Sequence, residues 1–138
     1  MSEHAITNRI NELDHKLHLA EYFNQLPEVL SGGYKQRFSI ARSIIHKPSL
    51  VIFDEPTVAL DPHVRHQIWD IIKTMKAEGI SILLTTHYLD EAEVLSDRVC
   101  VLDKGQVQLI DTPQNLMAGF QKKNLEDVFL HLMQKTKK

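Results

Sequence analysis

Residues 50–87 constrain the fold more than any other stretch. Two short continuous apolar runs, "LVIFDE" and "ISILLTTH", have the length and composition of fully buried strands. Between them, "LDPHVRHQIWDIIKTMKAEG" places Val64, Ile68, Ile71, Ile72 and Met75 on one face at helical spacing. Asp61 stands at its N-cap, Pro62 at its first helical position, and Gly79 stops it. Strand, helix, strand in this order predicts a parallel α/β sheet.

The flanking segments extend that alternation. Ile6, Ile10, Leu13 and Leu17 recur at helical spacing, which predicts an amphipathic helix over residues 5–20, ending before the turn chemistry around Pro27. From Gly32 onward Phe38, Ile40, Ala41, Ile44 and Ile45 form a second apolar face, stopped by Pro48. Downstream, "YLDEAEVLSD" reads as a short helix, "RVCVLDKGQVQLID" as two strands around a Lys-Gly turn, and "TPQNLMAG" as a capped short helix. The closing "NLEDVFLHLMQ" sets Leu125, Val128, Phe129 and Leu132 on one face, a stripe expected to dock on its own domain before a solvated lysine tail. No internal repeat or low-complexity linker interrupts the chain.

At 138 residues with 43% hydrophobic content, the chain fits one domain with one core. A net charge of −2 supplies no basic field, so nucleic acid is not an expected partner. Cys100, inside "RVCVL", reads as a small buried hydrophobe, and a single cysteine allows no disulfide within the chain. The N-terminus has no signal-peptide core, and no stretch approaches the ~18 apolar residues of a membrane span. A cytoplasmic protein is expected, peripheral to a membrane only through a partner.

Three places carry chemistry. Ser31, Gly32 and Gly33 open a helix, where backbone N–H groups and the helix dipole favour a phosphate. Asp54 and Glu55 end an apolar strand, the arrangement by which phosphoryl-transfer enzymes set carboxylates beside Mg²⁺ and the attacking water; alone, such a pair is also an ordinary turn or helix cap. His87 ends the second strand, where it could reach a terminal phosphate or serve structure only. His15 with His18, and His63 with His66, are spaced i, i+3 but lack partners for a metal site and read as solvated faces. Lys35, Arg37 and Arg42 read as surface charge beside the anion site with their stems packed against the core, and Trp69 as core or interface packing.

In order and spacing, "LSGGYKQR", "LVIFDEPTVALDP" and "ILLTTHYLDEAEVLSDRV" resemble the signature motif, the Walker B motif with D-loop, and the H-switch of ATP-binding cassette (ABC) ATPases. The resemblance runs from residue 26 to the end, and "LEDVFLHL" is similar to the close of exporter-type cassettes. It implies a P-loop NTPase-like, three-layer parallel-sheet core in part: residues 1–47 as a helical signature region, 48–111 as the core with Walker B, D-loop and H-switch, and 112–138 as C-terminal helices. It further implies ATP and Mg²⁺ as cofactors. Ser31, Gly32 and Gly33 would meet the γ-phosphate, Asp54 the Mg²⁺, Asp61 the opposite subunit, and His87 the γ-phosphate, with Glu55 as general base or water-orienting group. The implied partners are a second ATPase subunit and a transmembrane permease subunit.

The chain departs from the family pattern in three ways. Tyr34 replaces the usual glutamine of the signature, and Ala59 replaces the usual glycine before the D-loop, a cost if φ there is positive. None of the five glycines is followed by lysine, so the chain contains no G-x-x-x-x-G-K-[ST] loop to bind most of the triphosphate. Little or no ATP turnover by the chain alone is therefore expected. In the family, the strand before that loop lies between the strand ending in His87 and "RVCVL". Without it, either those two strands pair or open edges recruit another chain, which predicts self-association or modest stability. The alternative of a non-catalytic fragment that pairs with a phosphate-loop-bearing chain stays open. A DNA-repair or chromosome ATPase fits less well, since no heptad run is present.

Overall fold

The computed structural model describes residues 3–135, which divide into two compact units, one running to Thr85 and the other beginning at Thr86. The first unit contains α1 (Glu3–Leu17), two single-turn 3₁₀ segments (Ala20–Tyr22 and Pro27–Val29), α2 (Gly32–Ile44), β1 (Leu50–Asp54), α3 (Pro62–Ala77) and β2 (Ser81–Thr85). Helix α1 stops earlier than its apolar spacing predicts. His18 turns into the left-handed region at φ +53°, and the Asp14 carboxylate accepts the Leu19 N–H at 2.9 Å, which closes the helix locally. Arg9, Leu13 and Leu17 are its buried residues, while Ile6 and Ile10 remain exposed.

Two arginines bind this unit together. Arg9 donates to the carbonyls of Ile44 at 2.6 Å and Ile45 at 3.2 Å, satisfying acceptors that the end of α2 leaves open. Arg37, expected at the surface, is instead buried: it donates to the Leu17 carbonyl at 3.1 Å and to Gln67 of α3, and its guanidinium lies 5.1 Å from the centre of the Tyr34 ring. Its position on the inner face of α2, one turn before Ile40 and Ala41, dictates that role.

Strands β1 and β2 pair in parallel, in register from Leu50 opposite Ser81 to Asp54 opposite Thr85, with α3 as the crossover. Asp61 caps α3 by accepting the Val64 N–H at 3.1 Å, Pro62 occupies the first turn, and Ile68, Trp69, Ile72 and Met75 are buried. Full burial of the two strands does not hold. Val51 and Phe53 are buried whereas Leu50 and Ile52 are exposed, and β2 alternates in the same way. A crossover helix covers one face of a sheet, and within the described residues of this unit the other face stays open.

The second unit contains α4 (Leu89–Leu95), the antiparallel hairpin β3 (Val99–Asp103) and β4 (Gln106–Asp111), α5 (Pro113–Phe120) and α6 (Leu125–Lys135). Lys104 and Gly105 turn the hairpin with φ of +50° and +76°, both in the left-handed half that a two-residue hairpin turn requires. Ala92, Leu116, Leu125 and Val128 form the core, with Val99, Leu109 and Leu132 packed against it. The apolar stripe of α6 therefore docks on its own unit, as expected; the lysine tail past Lys135 lies outside the described residues. Cys100 is exposed, which corrects its reading as a buried residue. Period-two alternation sends Val99 to the core and Cys100 to the opposite face, beside its cross-strand partner Ile110. The described strands form two two-stranded sheets, the parallel β1–β2 pair and the antiparallel β3–β4 pair.

Candidate functional site

Six of the seven residues singled out in the sequence fall within the first unit, in two groups. In the first, Ser31 caps α2, accepting the Tyr34 N–H at 3.5 Å, the long limit of a hydrogen bond. Gly32 and Gly33 form the first turn of that helix and face the start of α3. A Cβ on Gly33 would lie 2.6 Å from Val64 Cγ1, so this glycine is required by packing; a Cβ on Gly32 would meet only Leu60 Cδ2, at an ordinary 3.5 Å. Leu60 and Val64, on either side of the Asp61 cap, thus abut the Ser-Gly-Gly turn.

The two helix N-termini differ electrostatically. Asp61 places a carboxylate on the positive end of α3. Helix α2 is capped by the neutral Ser31 and has no acidic residue in its first turn, so its dipole is left to attract an anion from outside. Tyr34, next along, stacks on Tyr22 with ring centroids 3.6 Å apart, and its hydrogen bond pushes the Tyr22 phenol upward.

The second group closes the parallel strand pair. Both strands end at one edge, where Thr85 does two things: its hydroxyl donates to Asp54 Oδ1 and accepts the Glu55 N–H at 3.2 Å. The Glu55 N–H also donates to the Thr85 carbonyl at 3.0 Å. Glu55 itself sits at φ +48°, and Ala59, four residues on, at φ +60°. Left-handed backbone at non-glycine residues costs energy and persists where surrounding contacts enforce it; the loop from the carboxylates to Asp61 holds two such residues, and His18 and Lys47 are the other two of this unit. Thr85 was not singled out in the sequence. The signal that could have found it is the hydroxyl residue that follows the apolar stretch of the second run as Asp54 follows that of the first; parallel pairing sets the two opposite each other.

An exposed carboxylate with a hydroxyl beside it is a hard oxygen donor set of the kind Mg²⁺ takes together with water, so Asp54 fits the cation the sequence implies for it. His87 belongs to the second unit, where it is exposed and its ring packs on Tyr88 with centroids 4.3 Å apart. His15, His18, His63 and His66 are exposed. A cavity of about 530 Å³ also opens between α1, α2 and α3; of its polar lining, Arg37 pairs with Gln67 and Lys16 with Glu78, and His18, Tyr34 and Asp70 also face it.

Comparison with known proteins points one way. Residues 1–58 match the family model described as ABC transporter. The chain is 53% identical over 77 residues to the Nod factor export ATP-binding protein I of Bradyrhizobium diazoefficiens, covering 56% of this chain and 25% of that protein. To its namesake in Mesorhizobium japonicum it is 49% identical over 88 residues, 64% of this chain and 26% of that protein. A solved ATP-binding subunit of an ABC transporter superposes with a TM-score of 0.80 at 30% identity, covering 96% of this chain and 56% of that one. An ATP-binding cassette in its ADP conformation gives 0.76 at 22% identity, over 94% and 52%, a likeness of fold. The chain thus spans about a quarter of these curated relatives and about half of the solved domains. Among the described residues no helix is long and apolar enough to cross a membrane.

Proposed function

We propose, from the premise that this chain belongs to the ABC transporter family of ATP-binding subunits, that it supplies the Ser-Gly-Gly turn and the catalytic carboxylate to ATP hydrolysis that powers export through a membrane subunit. The export assignment rests on the relatives named for it. In this reading ATP is held by another chain's lysine-bearing loop, and Mg²⁺, when bound, neutralises charge that develops between the terminal phosphates.

Each residue has a defined task. The α2 N-terminus, with no acidic residue in its first turn, offers the amides of Gly32 and Gly33 and the Ser31 hydroxyl to the γ-phosphate. Asp54 holds the cation through water. Glu55 orients and deprotonates the attacking water, and Asp61 makes the contact across the subunit interface, where its loop already abuts the Ser-Gly-Gly turn. His87 hydrogen-bonds the γ-phosphate. The observation that supports this most is the junction at Asp54, Glu55 and Thr85: a rigid strand edge holds one carboxylate, and the same threonine fixes the strained backbone that aims the next.

The test is ATP turnover. The chain alone should hydrolyse ATP no faster than a buffer blank, and addition of a polypeptide carrying a G-x-x-x-x-G-K-[ST] loop should raise the rate. Glu55→Gln should then lower that rate by about 10²-fold or more, the scale of a general base, and Ser31→Ala should raise KM for ATP. Turnover by the purified chain alone, or an assembled sample indifferent to Glu55→Gln, would overturn the assignment.

A further inference from the structure

The cavity between α1, α2 and α3 is lined by opposite charges that do not meet. Helix α3 gives it one stripe, from Gln67 through Asp70, Ile71 and Thr74 to the C-cap Glu78, about 16 Å at the helical rise. Leu17, Ile44 and Met75 supply a buried apolar floor, and Tyr34 and His18 also face it. At the Glu78 end, Lys16 and Glu78 pair with each other. At the Gln67 end, Arg37 is 8% exposed, and its two hydrogen bonds go to neutral acceptors, the Leu17 carbonyl and the Gln67 amide. Two of its five N–H groups are thereby used, and among the described residues no carboxylate pairs with it. Asp70, one turn from Gln67 on the same face, has only Lys73 at 3.8 Å, and both of those side chains are at least half exposed. A buried cation without a countercharge and a weakly held carboxylate thus line one stretch of the cavity.

We propose that this cavity binds a zwitterionic α-amino acid with a large apolar side chain. The charges select that class. A simple anion at Arg37 would stand beside the Asp70 carboxylate, and a simple cation at Asp70 would stand beside Arg37. An α-amino acid carries both charges within the length of one helical turn, about 5 Å, so its carboxylate meets the guanidinium while its ammonium meets Asp70. Its side chain then lies over Leu17, Ile44 and Met75, where apolar surface is removed from water. The volume of about 530 Å³ falls within the roughly 300–1,000 Å³ of small-molecule sites. None of the residues assigned to ATP hydrolysis takes part. Arg37 belongs to α2 and Asp70 to α3, so the bound zwitterion braces the two helices whose N-termini carry the Ser-Gly-Gly turn and Asp61.

The test is a titration of the full chain, without nucleotide, followed by amide chemical shifts. The probe is L-phenylalanine, set against 3-phenylpropionate, which lacks the ammonium, 2-phenylethylamine, which lacks the carboxylate, and glycine, which lacks the apolar body. L-Phenylalanine should saturate, shifting amides among residues 16–18, 34–37 and 67–78, and each of the three analogues should bind at least tenfold more weakly. Asp70→Asn should weaken L-phenylalanine tenfold or more and leave 3-phenylpropionate no weaker than before, a split that general damage to the fold would not produce. The Asp70 side chain is 77% exposed, so this variant should keep the circular dichroism of the parent. The analogue series on the unmutated chain needs no variant. No saturable shift with L-phenylalanine overturns the proposal, as do shifts confined to other residues. An analogue that binds as tightly as L-phenylalanine also overturns it, because the site would then read one charge, or no apolar body. Equal affinity in the parent and Asp70→Asn removes the ammonium contact and overturns it likewise.

Discussion

At their N-termini α2 and α3 meet through a glycine and two short polar caps; at their C-termini the same helices are held by long charged side chains from α1. The N-terminal end has Gly33 against Val64, Ser31 and Asp61 as caps, and before Asp61 a loop with left-handed Glu55 and Ala59. The C-terminal end has Arg9 on the carbonyls of Ile44 and Ile45 and on Glu12 at 2.7 Å, with Lys16 joining Glu12 to Glu78, the C-cap of α3. What the difference teaches is a division of labour. The end that would face a ligand exposes backbone amides and carboxylates, while the opposite end supplies the directed hydrogen bonds that hold the scaffold in place.

Arg9→Ala attacks the scaffold end and should have the largest effect on stability. It leaves two helix-terminal carbonyls without their donor and Glu12 with Lys16 alone, and hydrogen bonds to a charged donor contribute about 1.5–3 kcal/mol each. A loss of roughly 3 kcal/mol by urea denaturation is expected, with ATP-linked behaviour altered only in proportion to the folded fraction.

The two glycines sharpen the contrast at the other end. Gly33→Ala forces its Cβ against Val64 and should destabilise by about 1–3 kcal/mol, the range for overpacking. Gly32→Ala meets only an ordinary contact and should leave the melt within about 0.5 kcal/mol of the parent, as for surface changes. Any turnover lost in Gly32→Ala is then a loss at the ligand end. If both variants melt alike, the packing distinction is wrong.

Much of this was legible in the residues. Asp61 and Pro62 announce a capped helix, Lys104 and Gly105 a tight turn, and the glycine pair after Ser31 the start of α2, because caps and turns depend on a few adjacent residues. The exposure of Ile52, Leu83 and Cys100 was not legible. An apolar run is the same string whether one face or both are covered, and what covers the second face is not encoded in the run. Nor could spacing reveal Arg9 reaching across 35 residues to the end of α2, or Arg37 turned inward, since a basic residue on a helix reads as solvated until its partner is known. At the site, the carboxylates and the Ser-Gly-Gly turn were found by motif. Thr85, which joins the carboxylates through the strand register, was not.

Ala59 tests whether the strain at the ligand end is incidental or useful. At φ +60° an alanine is held where glycine is at ease, and Ala59→Gly should relieve about 1 kcal/mol. The gain reads out as a rise in melting temperature. If the strained loop also aims Asp61, the more stable variant should turn over more slowly in an assembled sample; stability gained with turnover unchanged would make the strain incidental.

The smallest effect belongs to the scaffold end and depends on pH. Hydrogen bonds from Arg9 first, then Lys16, lower the Glu12 carboxyl from 4.5 to about 2. A depressed carboxyl pKa means that the folded state holds the ionised form more tightly than the unfolded chain does. The resulting stability is fully present above the ordinary value of 4.5 and is lost as pH falls from there through about 2. On Lys16, burial works to lower the ammonium, yet the hydrogen bonds from Glu78 and Glu12 outweigh it and raise the pKa, so this partner stays charged throughout that window. The Glu12 side chain is 41% exposed, and solvent and salt screen much of the interaction. Glu12→Gln should therefore be slightly less stable than the parent at pH 6, the gap should close between pH 4.5 and 2.5, and added salt should narrow it at pH 6. A gap that persists at pH 2.5 would place its origin in packing rather than charge, and the scaffold end would then resemble the glycine-packed end it is contrasted with.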